Sequence, residues 1–532
     1  MLSQNWKTQV QRLQATFFHL KDLFWAKPFS SRPRERRRQN HLCCVVESLE
    51  DRSLLSVLSP SLRGSTLVIP TDNSSTSVEV ARPGSNVVVK DVAANKSWSY
   101  ASNRVGVIEF QGGNGNDRFV SNVPGVPVRA FGNAGNDYLA GNSARDTLEG
   151  GAGDDTLYGL AGDDQLLGRD GNDRLYGGDG NDTVWGGNGN DILLGMAGND
   201  QLVGDAGDDR LNGGAGQDSL WGGNGNDVLI TIDGGTSDFA QGDAGSDIIW
   251  ADQNGTSKDS TSGVTLTDKV QYIRSFANGA DRTLDGDRIA DPAVLSGHTL
   301  KRFANNPLFS SSGPAPADIR QGAIGDCYLL AGLAAIALDN PQAIRQNIVD
   351  FDDGTYGVRL GDSFYRVDDD LPVVNQISTS PDYAGLGREN SMWVAVYEKA
   401  FAHYRKGTNS FDSIQGGFGD EVNKAFGSTA TGRKQFWEFI PGGGAAALAN
   451  EIYKHWSGKE SVTIGTGRFF GVPSELEPAH AYTVMSVTRT SVGKVTSIRL
   501  RNPWGREVTV TPDQLYSMWL PVIGGALSWG KV

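Results

Sequence analysis

From residue 132 onward, Leu or Val returns at every ninth position: 139, 148, 157, 166, 175, 184, 193, 202, 211, 220 and 229. Glycine and polar residues fill the intervals. A lone aliphatic side chain in such a segment has nothing of its own to pack against. Eleven in one phase can be buried together if the nonapeptides stack and line up their aliphatic residues as a ladder. Gly opens every unit, and it recurs at the fourth place in all but the second, where Ala144 stands. Glycine takes the positive-φ turns that other residues resist. The spacing predicts a repeat architecture of short stacked strands over 132–250, with looser units at 112–120 and 242–250 as caps.

On either side the pattern changes. Residues 61–131 carry short alternating runs, STLVIP, SVEVA, NVVVKD and VGVIEF, broken by Asn, Gly, Pro and Ser. They predict a β-rich lead-in. Residues 251–300 lose the period and read as a linker long enough to uncouple what lies on either side. From 301 to 532 the composition is that of a globular domain. Residues 327–338 are apolar all round, as a buried helix is. The stretch SMWVAVYEKAFAHYRK (391–406) puts Trp393, Val396, Tyr397, Ala400, Phe401 and Tyr404 on one stripe, with Ser391 expected as N-cap. Beyond 460 the text turns to strands: SVTIGT, HAYTVMSV, VTSIRLRN. Residues 1–60 are expected to be a disordered or targeting leader, their apolar and basic parts being in the wrong order for a signal peptide. Within them, VESLEDRSLLS resembles a short sequence near the start of some exported bacterial proteins. A chain of 532 residues is expected to be multidomain. No run of about 18 apolar residues predicts a membrane span.

Charge sharpens the reading of the repeat. The formal net charge is −14, and residues 132–230 alone hold 18 Asp and Glu against 4 Arg and no Lys. Such a block repels nucleic acid and itself, and asks for cations. Its sixth positions are Asp137, Asp146, Asp155, Asp164, Asp173, Asp182, Asp191, Asp200, Asp209, Asp218 and Asp227. Rows of carboxylates beside glycine carbonyls suit Ca2+, a hard cation taking six to eight oxygens. The block resembles the RTX nonapeptide GGxGxDxUx. The resemblance implies a parallel β-roll with two nonapeptides to a coil, multiple calcium ions held by these aspartates and folding on calcium, with weaker binding expected near Ala144 and Gln217. Calcium availability points to an extracellular or cell-surface protein.

Three cysteines exist, Cys43, Cys44 and Cys327, so residues 45–532 hold no disulfide framework. Cys327 opens the apolar helix, where the helix dipole favours a thiolate. Of the six histidines, His19 and His41 fall in the leader and His298 in the linker. His403 and His455 read as surface or partly buried residues. His480 remains, on a strand, and Asn502 ends a neighbouring one. The segments DIRQGAIGDCYLLAGLAAIA (318–337), YRVDDDLPV (365–373), MWVAVYEKAFAHYRKG (392–407), HAYTV (480–484) and RNPWG (501–505) together resemble the calpain-type, papain-like cysteine proteases. This implies an α+β domain over 301–532 and hydrolysis of protein or peptide substrates. Cys327 would be the nucleophile, His480 the base, Asn502 its orienter, Gln321 an oxyanion donor, and Trp504 a shield over the His–Asn bond. Tyr328 and Ala479 depart from the family, which usually has Trp and Gly there. Asp318 stands where one calcium ligand of the protease core is expected, without a clear partner set, and Asp368, Asp369 and Asp370 read as a solvated turn. The alternative expectation is a calcium-binding surface or matrix module with an autoprocessing or inactive protease domain.

Overall fold

The structure, a computed structural model, describes residues 57–532 apart from 236, 255, 279–290, 305, 323, 406–409, 415–418, 429–430, 436–443, 467–475, 477–479 and 518–525. Most of the expected leader, with Cys43 and Cys44, lies outside the described residues.

Residues 61–273 form a parallel β-solenoid. From Val107 to Asn254 successive strands alternate between an 11-stranded and a 13-stranded sheet, which antiparallel hairpins of the lead-in extend. The register repeats every 18 residues, Leu148 beside Leu166 and Leu157 beside Leu175, so two nonapeptides make one coil. The aliphatic ladder from Leu139 to Leu229 is fully buried between the sheets. Glycine is required by space as well as by φ. Gly189 sits at φ +131°, and a Cβ there would stand 1.9 Å from the Gly171 carbonyl oxygen. The lead-in strands Thr66–Pro70, Ser77–Ala81 and Val107–Gln111 join the same two sheets and share the same core.

The first part of the stretch expected as a linker, up to Ile273, instead continues the roll. Strand Ile248–Asn254 pairs in parallel with Lys269–Ile273, and Ser260–Ser262 pairs with Phe239–Ala244. Insertions after the eleventh unit hide this from the sequence period, because they lengthen the coil from 18 to 20 residues. These last coils pack on the following domain. Ile230, Ile232, Ile248, Trp250, Ile273 and Phe276 share one apolar cluster with Val349 and Phe351. Around it Arg210 pairs with Asp352, Asn212 donates to the Phe351 carbonyl at 2.9 Å, and Gln271 donates to the Gln346 carbonyl at 3.0 Å.

The remaining chain is built around two apolar cores. The first gathers the helices Cys327–Asp339, Pro341–Gln346, Trp393–Tyr404 and Gly419–Ala425 with the three-stranded sheet 348–368. The second lies between the helix Ala445–Ser457 and an antiparallel six-stranded sheet that contains Ser461–Gly465, Ala481–Arg489 and Val495–Arg501. The Cys327 helix is the seam between them. It is buried along its length, and the Thr483 hydroxyl donates to its Ala331 carbonyl at 2.7 Å.

Candidate active site and calcium rows

Cys327 is the first residue of its helix, with Asp326 in the N-cap position. The expected thiol placement is therefore present. Its expected acidity is not: burial pushes the Cys327 thiol up, against the backbone N–H of Ala481, which points to the sulfur and pulls it down. Ala481 directly follows His480, so the strand that carries the imidazole also touches the nucleophile candidate.

His480 is held by its backbone. Its N–H donates to the Thr466 hydroxyl at 2.8 Å, and its carbonyl accepts from the Thr466 N–H at 2.7 Å. Its Nδ1 is buried. Antiparallel pairing sets Thr483 opposite Arg501, which carries His480 toward the RNPWG turn. There the half-exposed Trp504 indole lies on the imidazole, ring centroids 4.3 Å apart. Asn502, two residues earlier, is buried, and its Oδ1 accepts the Arg506 N–H at 2.8 Å. Gln321 reaches the same turn from the other core: its backbone N–H donates to the Pro503 carbonyl at 3.0 Å. Its side-chain Nε2 donates to the Ile324 carbonyl at 2.8 Å. The four candidate residues thus come from four places in the chain to one seam.

Several expectations about neighbouring residues do not hold. The Trp393 helix is buried on all sides rather than along one stripe, Glu398 and Lys399 included, and its N-cap is Met392 rather than Ser391. Asp368 and Asp369 are buried ion-pair partners, not a solvated turn: Asp368 with Lys399, Asp369 with Arg302. The Lys399 ammonium also pairs with Asp291, and so fills the cluster that Asp291, Asp368 and Asp370 would otherwise offer a metal. Buried charges survive only when paired in this way. His403 is buried, and burial with Lys399 nearby lowers it to about 4. His455 is buried between Glu451 and Glu460. Asp318 is fully buried and satisfied by nitrogen donors: Arg388 Nε at 2.6 Å, Ala315 N at 2.9 Å and Trp393 Nε1 at 3.0 Å. A guanidinium stands beside this carboxylate, where a cation ligand set was expected.

In the roll the sixth-position aspartates point inward at the turns and are almost wholly buried. Each uses one oxygen to cap the coil before it: Asp155 Oδ1 accepts the Asp137 N–H at 2.7 Å, Asp173 Oδ1 that of Asp155 at 2.7 Å, and so along both rows. The second oxygen is buried without a hydrogen-bond partner in Asp137, Asp155, Asp164, Asp173, Asp182, Asp191, Asp200, Asp209, Asp218 and Asp227. These oxygens face glycine. Where a Cβ on Gly159 would stand, Asp164 Oδ2 lies 2.5 Å away and the Gly177 carbonyl oxygen 2.6 Å away. Acceptors converging with no donor between them fit a hard cation, so the residues present suit calcium. Asp146 is the exception, because its Oδ2 accepts the Asn142 N–H at 2.6 Å and its Oδ1 the Val128 N–H at 2.7 Å. Asp238 and Asp247 continue the rows with the same orphaned oxygen; the 20-residue coils put them out of the sequence phase.

Comparison with known proteins gives the character of the two regions. Residues 296–513 match the calpain family cysteine protease model. Residues 131–166, 158–193, 167–202, 194–229 and 232–254 match the model for the RTX calcium-binding nonapeptide repeat. Similar proteins include Calpain-9 of Homo sapiens, 28% identical over 220 residues, which are 38% of this chain and 30% of that one. Calpain-A of Drosophila melanogaster is 28% identical over 227 residues, 38% and 26% of the two chains. The Calpain-1 catalytic subunit of Mus musculus is 28% identical over 218 residues, 38% and 29%. The chain thus spans less than a third of the length of these curated relatives. Residues 296–513 are a calpain-type cysteine protease domain, preceded by RTX calcium-binding repeats.

Proposed function

We propose that the chain is a calcium-associated cysteine endopeptidase in which Cys327, His480, Asn502 and Gln321 act on a peptide bond. The observation that carries this reading is the position of the Cys327 sulfur, at the start of a buried helix and against the amide that follows His480. Burial keeps the thiol protonated in the free chain, so the attacking thiolate forms as the imidazole takes its proton. The sulfur then adds to the substrate carbonyl. Negative charge gathers on the carbonyl oxygen, where the Cys327 backbone N–H and the Gln321 amide donate to it. His480 passes the proton to the leaving amine, and water releases the acyl group from sulfur with the imidazole again as base. Asn502 keeps one carbonyl lone pair for Arg506 and offers the other to the imidazole N–H. Trp504 covers that pair from water.

The aspartate rows of the roll would hold calcium, which supplies charge neutralisation between coils. The roll it would order meets the protease through the shared apolar cluster around Trp250. Rolls that need millimolar calcium suit an extracellular or cell-surface setting. The test is digestion of casein by the full chain in calcium, with Cys327→Ala alongside, and labelling by a thiol-directed peptide epoxide. Turnover and labelling confined to the wild-type Cys327 support the reading. Undiminished turnover by Cys327→Ala overturns it.

A further inference from the structure

Directly beneath the nucleophile candidate lie two carboxyl groups that the reaction above does not use. Asp326 precedes Cys327 and is fully buried. Glu398, from the Trp393 helix, is equally buried, and each carboxyl acts on the other electrostatically. Both Asp326 oxygens and Glu398 Oε1 are buried with no donor directed at them. Glu398 Oε2 accepts the Ala384 N–H at 2.8 Å. Ala384 in turn forms an antiparallel bridge with Gln321, whose Nε2 donates to the Ile324 carbonyl two residues before Asp326. The contacts run from Glu398 through Ala384 to Gln321, and the Glu398 carboxyl bears on that of Asp326. Glu398 thus links the nucleophile's N-cap to the segment that holds the oxyanion donor.

Two carboxylates in contact, both out of water, cannot both be charged. One proton between them turns repulsion into a hydrogen bond. Resting on the endopeptidase reading, we infer that Glu398 is a positioning residue: its carboxylic acid donates to the Asp326 carboxylate and so fixes Gln321 and the first turn of the Cys327 helix. Both groups are shifted the way this requires. Burial raises Glu398 well above the usual carboxylate range, with Asp326 adding to it, and burial likewise raises Asp326. Of the two, Glu398 is the carboxyl that burial and its neighbour push furthest toward the neutral form. Glu398 touches no substrate, and its action passes through Gln321 and Cys327.

Glu398→Gln keeps a donor toward Asp326 and an acceptor toward Ala384; Glu398→Met keeps the volume and loses both. The full chain in calcium is assayed for casein peptidase kcat and KM, and for the iodoacetamide alkylation rate of the Cys327 peptide by mass spectrometry. Glu398→Met is expected to lose at least about tenfold in kcat with KM within about twofold, and to alkylate at an altered rate. Glu398→Gln is expected to recover most of both. Wild-type kcat in Glu398→Met, or equal loss in Glu398→Gln and Glu398→Met, overturns the inference. The infrared carbonyl band of a protonated carboxylic acid supplies a readout that survives misfolding of Glu398→Met. Other buried carboxyls contribute to the same region, so the readout is the wild-type minus Glu398→Gln difference spectrum in calcium at pH 7: a lost carboxylic-acid component is expected, and its absence overturns the inference. If the wild type has no peptidase activity, the endopeptidase reading fails while alkylation and the infrared band still report on the carboxyl pair.

Discussion

The backbone N–H of Gln321 donates to the carbonyl of Pro503 at 3.0 Å, joining residues 182 positions apart. The bond sets the start of the Cys327 helix against the turn whose Trp504 covers His480. The two halves of the proposed catalytic machinery are thus registered by main chain, and the side chains at the seam are left free to tune it.

Trp504 is the first such tuner. It is half exposed, so its loss costs the fold little, but its ring is the lid on the His480 imidazole. Trp504→Ala is expected to lower kcat about tenfold or more with a smaller change in KM, because water then competes for the imidazole N–H. Steady-state kinetics on the folded variant check this. An unchanged kcat would show that the indole is not a shield.

The aspartate rows make a prediction about pH. Burial is the largest influence on each, and it pushes Asp155, Asp164, Asp200 and Asp209 up to about 8 and Asp173 and Asp227 to about 7. An unfolded chain releases these protons near pH ~3.9. Between the two limits the unfolded state binds fewer protons, so stability falls as pH rises. In chelator, the roll is expected to be most stable below pH ~4 and to lose stability progressively toward pH ~8. Calcium must displace the same protons, so its affinity rises over that window and its binding releases protons. Thermal melts at pH 5 and 8 with and without chelator, and calorimetry in buffers of different ionisation heat, read both effects. A chelated roll equally stable at the two pH values would contradict the assignment.

Individual aspartates separate along the same lines. Asp164→Asn replaces an orphaned oxygen and is expected to reduce bound calcium and weaken affinity at the adjoining sites by about tenfold or more. Asp146→Asn removes an acceptor already shared between Asn142 and Val128, and is expected to lower stability without lowering the number of ions bound. Equilibrium dialysis and melting of the two variants make the comparison. Equal calcium loss in both would remove the distinction.

The junction of roll and protease gives a fourth prediction. Trp250 is fully buried, edge-on to Phe351 and Phe364. Trp250→Ala is expected to cost about 3–5 kcal/mol at this junction. Calorimetry should show roll and protease unfolding together in the wild type with calcium, and apart in the variant. Two well-separated transitions in the wild type would mean that the cluster does not couple them.

How much of this was legible in the sequence depends on periodicity. The roll could be read because one aliphatic residue per nine has no other means of burial, and the Cys327 helix because an apolar run of that length has no other place. The junction escaped because Ile248, Trp250 and Ile273 lie among polar residues on coils that had slipped from 18 to 20 residues. Glu398 and Lys399 escaped for a different reason. Charged residues flanking an apolar stripe ordinarily mark its wet side, and only three-dimensional packing supplies the carboxyls that make their burial tolerable. Asp318 was flagged by position, but its partner Arg388 is 70 residues away and carries no pattern that pairs them.

The alternation of nonapeptides between two sheets sets a rule of parity. Removing one unit upstream of Arg210 would join every earlier strand to the opposite sheet, setting the lead-in's faces against the wrong partners while the Arg210–Asp352 contact stayed where it is. Removing two would merely shorten the stack by one coil. Lengthening or trimming of this array is therefore tolerated in even steps, and an odd number of units between the lead-in and Arg210 would turn one end of the molecule over with respect to the other.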